Sequence, residues 1–90
     1  MAHTKESKGK LLARIRRIRG QVEAIENALS ADHDCGEVMQ LLAATRGAMN
    51  GLMSEVVEGH VRHHVLSARA TAGERKGAEE LIGIVRSYLK

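Results

Sequence analysis

The stretch CGEVMQLLAATRGAMNGLMSEVVEGHVRHH, residues 35–64, decides how this chain is read. Val38, Leu41, Leu42, Thr45, Met49, Leu52, Val56 and Val57 recur at helical spacing, so the stretch predicts one long helix over about residues 34–68. Cys35 stands at its start, with His60 and His64 near its end. The two histidines are four residues apart, which puts both on one helix face. Cys35 precedes His60 by 25 residues. At about 1.5 Å per residue a continuous helix holds them roughly 37 Å apart. If all three serve one metal ion, Cys35 must come from a second chain. Ala44, Gly47, Ala48 and Gly51 lie near the midpoint and predict a close antiparallel crossing of two such helices. The plainer alternative is that these glycines only weaken the helix.

Working outward, Leu11, Ile15, Ile18, Val22, Ile25 and Leu29 are spaced 4-3-4-3-4. This heptad seam predicts a first helix over about residues 4–29 that packs along a partner helix. Ser30-Ala31-Asp32-His33-Asp34 is the first break, with Asp32 and Asp34 as candidate N-caps for the long helix. Thr71-Ala72-Gly73 marks a second break. A short third helix is expected over about residues 74–89, with Leu81, Ile84, Val85, Tyr88 and Leu89 on one face. No repeat or linker divides the chain, so residues 1–90 read as a single all-α domain.

Ninety residues with no Phe, no Trp and only Tyr88 as an aromatic make a thin core for a monomer. Such a chain is expected to complete its core with copies of itself. The single cysteine excludes an intramolecular disulfide framework, and MAHTKESKGK has no apolar leader segment. Together these predict a cytoplasmic protein with no membrane partner. The net charge of +3 is unevenly spread: residues 1–30 hold seven basic and three acidic side chains, residues 31–90 seven and eight. The basic excess at the N-terminal end is what a polyanion-binding surface requires.

Thiolate with imidazole suits borderline divalent ions such as zinc, nickel and cobalt, and also Cu(I). The plainer readings are surface histidines and a small apolar cysteine. His3 adds a further donor: removal of Met1 would free the Ala2 amine to chelate together with the His3 side chain. Lys10, Arg14 and Arg17 form one basic stripe, and Arg16 and Arg19 a second. Both flank the apolar seam and suit phosphate contacts, although basic residues also serve as a solvated helix face. Helix-turn-helix and zinc-finger patterns are absent, as are aromatics for stacking on single strands, which leaves duplex DNA as the expected nucleic-acid partner. No phosphate loop, HExxH or GxSxG motif is present, and an enzyme is not expected.

RIRRIRGQVEAIE (residues 14–26) and CGEVMQLLAATRGAMNGLMSEVVEGHV (residues 35–61) resemble the first and second helices of the CsoR/RcnR family of bacterial metal-sensing repressors, and the closing VRSYLK is similar as well. The resemblance implies a three-helix protomer forming an antiparallel four-helix-bundle dimer, assembled into a dimer-of-dimers tetramer. It implies operator binding through Arg14, Arg17 and Arg46, with Lys10 as a lesser contact. It also implies an effector site between subunits whose occupancy weakens DNA binding. Cu(I)-sensing members carry Cys at the position of His64; the nickel- and cobalt-sensing branch matches this chain at His3, Cys35, His60 and His64. The resemblance thus implies a Ni(II)- or Co(II)-responsive repressor of an efflux operon, with Zn(II) binding in vitro and the Ala2 amine as a further ligand. Formaldehyde-sensing members react through Cys35 and the N-terminal amine, which makes aldehyde sensing the alternative. A structural helical oligomer with non-specific DNA binding is the alternative outside the family.

Overall fold

The computed structural model describes residues 7–66 and 68–89, with residues 64 and 65 as backbone only. Helix α1 spans Lys8–Ser30, α2 spans Cys35–His60, a π-helical turn spans Val61–Val65, and α3 spans Ala72–Tyr88. The described residues are all-α, as the periodicity predicts, and form no strand.

Local chemistry sets the boundaries. Ser7 is the N-cap residue of α1, so the expected residues 4–6 of this helix lie outside the described region. At the other end Asp32 takes a left-handed conformation, φ 57°. Its N–H donates to the Leu29 carbonyl at 3.2 Å, and the His33 N–H to the Ala28 carbonyl at 3.0 Å. These two bonds form the Schellman arrangement that closes a helix C-terminus. Asp32 therefore ends α1, and only Asp34 caps α2, accepting from the Glu37 N–H at 2.8 Å. Helix α2 does not continue to residue 68 as expected. Its backbone widens after His60, and Leu66 is extended at φ −81° and ψ 125°. Helix α3 starts at Ala72 rather than 74, because Thr71 and Glu74 form a capping box. The Glu74 N–H donates to Thr71 Oγ1 at 3.1 Å, and the Thr71 N–H reaches the Glu74 carboxylate at 3.4 Å. What reads as a break in sequence is a helix start.

The short 31–34 connection folds α1 back on α2 as an antiparallel hairpin, and α3 returns along the end of α2. The Cα positions fill 57 × 25 × 12 Å. The shortest extent is about one helix layer, since packed helix axes lie roughly 8–10 Å apart. A single layer cannot enclose a core. Among the described residues only Ile18, Ala28, Val38, Val61 and Ile82 are buried apolar side chains, and none is fully sealed.

The heptad seam of α1 is divided accordingly. Ile18 is buried, and Leu11 and Ile25 are half-buried, whereas Ile15, Val22 and Leu29 remain exposed. Helix α2 shows the same division as two heptad rows. Val38, Leu41, Thr45, Ala48, Leu52, Glu55 and Gly59 are all buried or half-buried. Thr45 satisfies its hydroxyl by donating to the Leu41 carbonyl at 2.8 Å. The other row is Cys35, Met39, Leu42, Arg46, Met49, Met53, Val56 and His60, of which all but half-buried Val56 are exposed. The small residues expected at a crossing of two α2 helices do not form this open row. Gly51 instead faces α1, where a Cβ would meet Arg14 Nη1 at 3.1 Å. No helix among the described residues is long and apolar enough to cross a membrane.

Candidate functional site

Cys35 is the first residue of α2 and His60 the last, so the helix keeps them at opposite ends as the spacing predicts. Both are exposed. The open row joins them: steps of 4-3-4-3-4-3-4 lead from Cys35 to His60, with Arg46 and Met49 at its middle. A seam with that spacing runs straight along a slightly supercoiled helix. Cys35 and His60 are thus the two ends of one largely exposed row. The backbone of His64 continues through the π-helical turn that follows, where the Leu66 N–H donates to the Val61 carbonyl at 2.9 Å. Such wide turns recur at functional positions. His3 and Ala2 lie outside the described residues. Among the described residues of one chain, no three His, Cys, Asp or Glu side chains converge as metal ligands. Near Cys35, His33 Nδ1 pairs with Glu37 at 3.1 Å, which ties it to the first turn of α2.

The four basic residues that the resemblance implicates in DNA binding fall into two places. Lys10 Nζ and Arg14 Nε lie 2.8 Å from the two carboxylate oxygens of Glu55. Arg17 is exposed one turn further along α1. Arg46 is nine residues before Glu55 on α2, and nine residues is two and a half turns at 3.6 residues per turn. Arg46 therefore points away from the α1 cations, beside Met39 and Leu42 on the open row. Within one chain these four residues do not form a single basic patch.

A cavity of about 570 Å³ separates α1, α2 and α3, and Lys10, Arg14, Glu55, Glu58, Arg62 and Arg86 line its polar side. Arg62, in the π-helical turn, donates to both oxygens of Glu79 at 2.6 and 3.1 Å and to Glu58 at 3.3 Å. Arg86 donates to Glu58 from α3. These pairs hold α3 against the end of α2 that carries His60. The hydrogen bond from Arg86, helped by Arg62, holds the Glu58 carboxyl below its ordinary value of 4.5, and Arg62 does the same for Glu79. A carboxylate whose folded value is depressed contributes stability that is present above the unfolded value and is lost as pH falls through the folded one. Docking of α3 should therefore loosen on the acid side of 4.5. In methyl NMR the resonances of Ile82, the buried residue of α3, should move toward exposed values as pH falls. E58Q/E79Q should remove most of that pH dependence; an unchanged acid transition in this variant would rule the pairs out as its cause.

Sequence reasoning does not find Glu55, Glu58, Arg62 or Arg86. Glu55 alone leaves a signal, as the one carboxylate in an otherwise small or apolar 3-4 row.

The sequence profile of the metal-sensitive transcriptional repressor family matches residues 7–87. The chain belongs to this repressor family. It is 40% identical over 90 residues to the transcriptional repressor RcnR of Salmonella paratyphi B, with all of both chains covered. It is 52% identical over 91 residues to an uncharacterized protein in the bioA 5′ region of Serratia marcescens, again covering both chains in full. Among solved structures it resembles a glutamate-to-histidine variant of the formaldehyde-responsive regulator FrmR from Salmonella enterica serovar Typhimurium. The TM-score is 0.67 at 48% identity, covering 92% of this chain and 94% of the other. The all-helical layout and the family implied by the sequence motifs agree with these comparisons.

Proposed function

We propose that this repressor binds duplex operator DNA as an assembly of antiparallel dimers and releases it when Ni(II) or Co(II) occupies a site shared by two chains. The observation that carries the reading is the open row of α2, whose ends are Cys35 and His60. A second copy laid antiparallel on that row covers Met39, Leu42, Met49 and Met53, and brings Cys35 of one chain to His60 and His64 of the other. The same pairing places Arg46 of each chain across the seam from its own α1, which lets it complete a basic surface with Lys10, Arg14 and Arg17.

The donor set fits the metal. One thiolate with imidazoles from His60, His64 and His3, and the Ala2 amine as a fifth donor, suits Ni(II), Co(II) and, in vitro, Zn(II). A bound ion would supply ligand bonds that fix one chain's Cys35 to the other chain's histidines. The protein supplies the linkage: Cys35 begins the helix that also carries Glu55, and His60 adjoins the turn that anchors α3. A tenfold loss of DNA affinity needs only about 1.4 kcal/mol of coupling. On the whole chain, 1–90, as one folding unit, the hairpin and α3 act together.

Anaerobic Co(II) titration tests the site. The wild-type protein should develop a thiolate-to-metal charge-transfer band, and Cys35→Ala should lose it and lose Co(II)-induced release of an operator duplex. A band unchanged in this variant would sink the site. The likeness to a formaldehyde-responsive regulator favours a second reading, in which Cys35 and the N-terminal amine are joined by formaldehyde. Mass spectrometry after mild treatment should then show a mass gain of one methylene bridge, with release of water. Non-specific helical oligomers would show neither effect, nor any preference for an operator over random duplex.

A further inference from the structure

Lys10 and Arg14 are not held ready for DNA. Both are drawn onto a single carboxylate, Glu55, on the packed side of α2. The Glu55 side chain is 23% exposed, whereas those of Lys10 and Arg14 are 71% and 42% exposed, so the acid is the more enclosed partner and the cations the more accessible ones. Glu55 Oε2 is buried and, although 2.8 Å from Arg14 Nε, accepts no well-aligned hydrogen bond. Partly exposed ion pairs of this kind contribute only about 0–1 kcal/mol each, little enough for another anion to displace. Arg14 is further confined by the absence of a side chain at Gly51. A Cβ there would lie 3.1 Å from Arg14 Nη1, so the guanidinium lies against the α2 backbone. From that seat it has to lift away before it meets a phosphate.

We propose that Glu55 acts as an internal phosphate mimic, competing with operator DNA for Lys10 and Arg14. The inference rests on the DNA-contact reading of these two residues. It gives α2 a direct hold on DNA affinity: any change that tightens Glu55 against α1 withdraws two cations from the operator, and any change that frees them returns both. The helix that carries the effector ligands at its ends thus carries the competitor on its inner face.

Glu55→Gln removes the charge and keeps the volume. Fluorescence anisotropy would be read on a duplex that the wild-type protein selects from random-sequence DNA, without metal. The expected gain in affinity is about three- to tenfold, the worth of two partly exposed ion pairs. The gain should vanish in a K10Q/R14Q background, because a competitor has no effect once its targets are gone. Gly51→Ala displaces the Arg14 guanidinium by contact rather than charge, and should also tighten binding while light scattering shows the same assembly. Circular dichroism would confirm that each variant is folded. Unchanged or weaker binding in both E55Q and G51A would overturn the proposal. So would an E55Q gain that persists in K10Q/R14Q. If K10Q/R14Q alone leaves affinity unaltered, the DNA role given to these residues fails first, and the competition with it.

Discussion

Met49→Asp should abolish assembly, and with it both metal binding and DNA binding. Met49 stands at the middle of the open α2 row and is 46% exposed in the single chain. Covering Met39, Leu42, Met49 and Met53 with the same row of a second copy stabilises the pair by up to about 1.5–3 kcal/mol for each side chain that is fully buried. A carboxylate at the centre loses one such contribution and must be dehydrated without a partner, at several kcal/mol more. By symmetry each dimer suffers this twice. A loss of about 4 kcal/mol already weakens association about a thousandfold. Sedimentation should find M49D as monomer at concentrations where the wild-type chain is assembled. Its unfolding midpoint should also be lowered, because a layer one helix thick has no closed core of its own. Gln40→Asp introduces the same charge on an exposed position of another α2 face and should leave assembly intact. A folded M49D chain with wild-type mass in solution would show that the open row is not the dimer surface.

The open row also shows what the sequence makes legible. The two long helices follow from the aliphatic spacing, and the distance between Cys35 and His60 follows from helix rise alone. Which side of α2 meets α1 does not follow, because α2 carries two heptad rows that interleave. Val38, Leu41, Leu42, Thr45, Met49, Leu52, Val56 and Val57 read together as one broad face. The structure separates Leu42 and Met49, which are exposed, from Val38, Leu41, Thr45 and Leu52, which pack inward. The signal that distinguishes them is chemical: three methionines and an arginine lie between Cys35 and His60 on one row, and a single carboxylate breaks the other. Gly51 carries two readings in the sequence, because a glycine makes room equally for a partner helix and for a guanidinium of its own chain. The helix ends depend on side-chain hydrogen bonds. Thr71 is a cap only because Glu74 stands three residues later, and the π-helical turn after His60 has no marker comparable to proline.

If the effector site is shared, two inactive chains should repair each other. Take one chain with Cys35→Ala and a second with H60A/H64A. In an antiparallel dimer each site draws its thiolate from one chain and its imidazoles from the other. A dimer of two C35A chains has no thiolate, and a dimer of two H60A/H64A chains has no imidazole pair. The first should show no Co(II)–thiolate band, and the second, short of two of its five donors, only a much weakened one. In the mixed dimer one site pairs the absent thiolate with the absent imidazoles and is lost. The other pairs Cys35 of the H60A/H64A chain with His60 and His64 of the C35A chain and is complete. After the two chains are unfolded and refolded together, half the dimers are mixed on random pairing and each restores one of its two sites. Band intensity should then be about a quarter of the wild-type value, as two-fold symmetry requires. A site built within one chain gives no recovery at all. The roughly 37 Å of helix between Cys35 and His60 already argues against that outcome, since no rearrangement short of breaking α2 brings them together. Recovery in the mixture but not in either parent would locate the metal between chains and fix their direction as antiparallel. A parallel pair would set like ends together and leave the thiolate facing another thiolate.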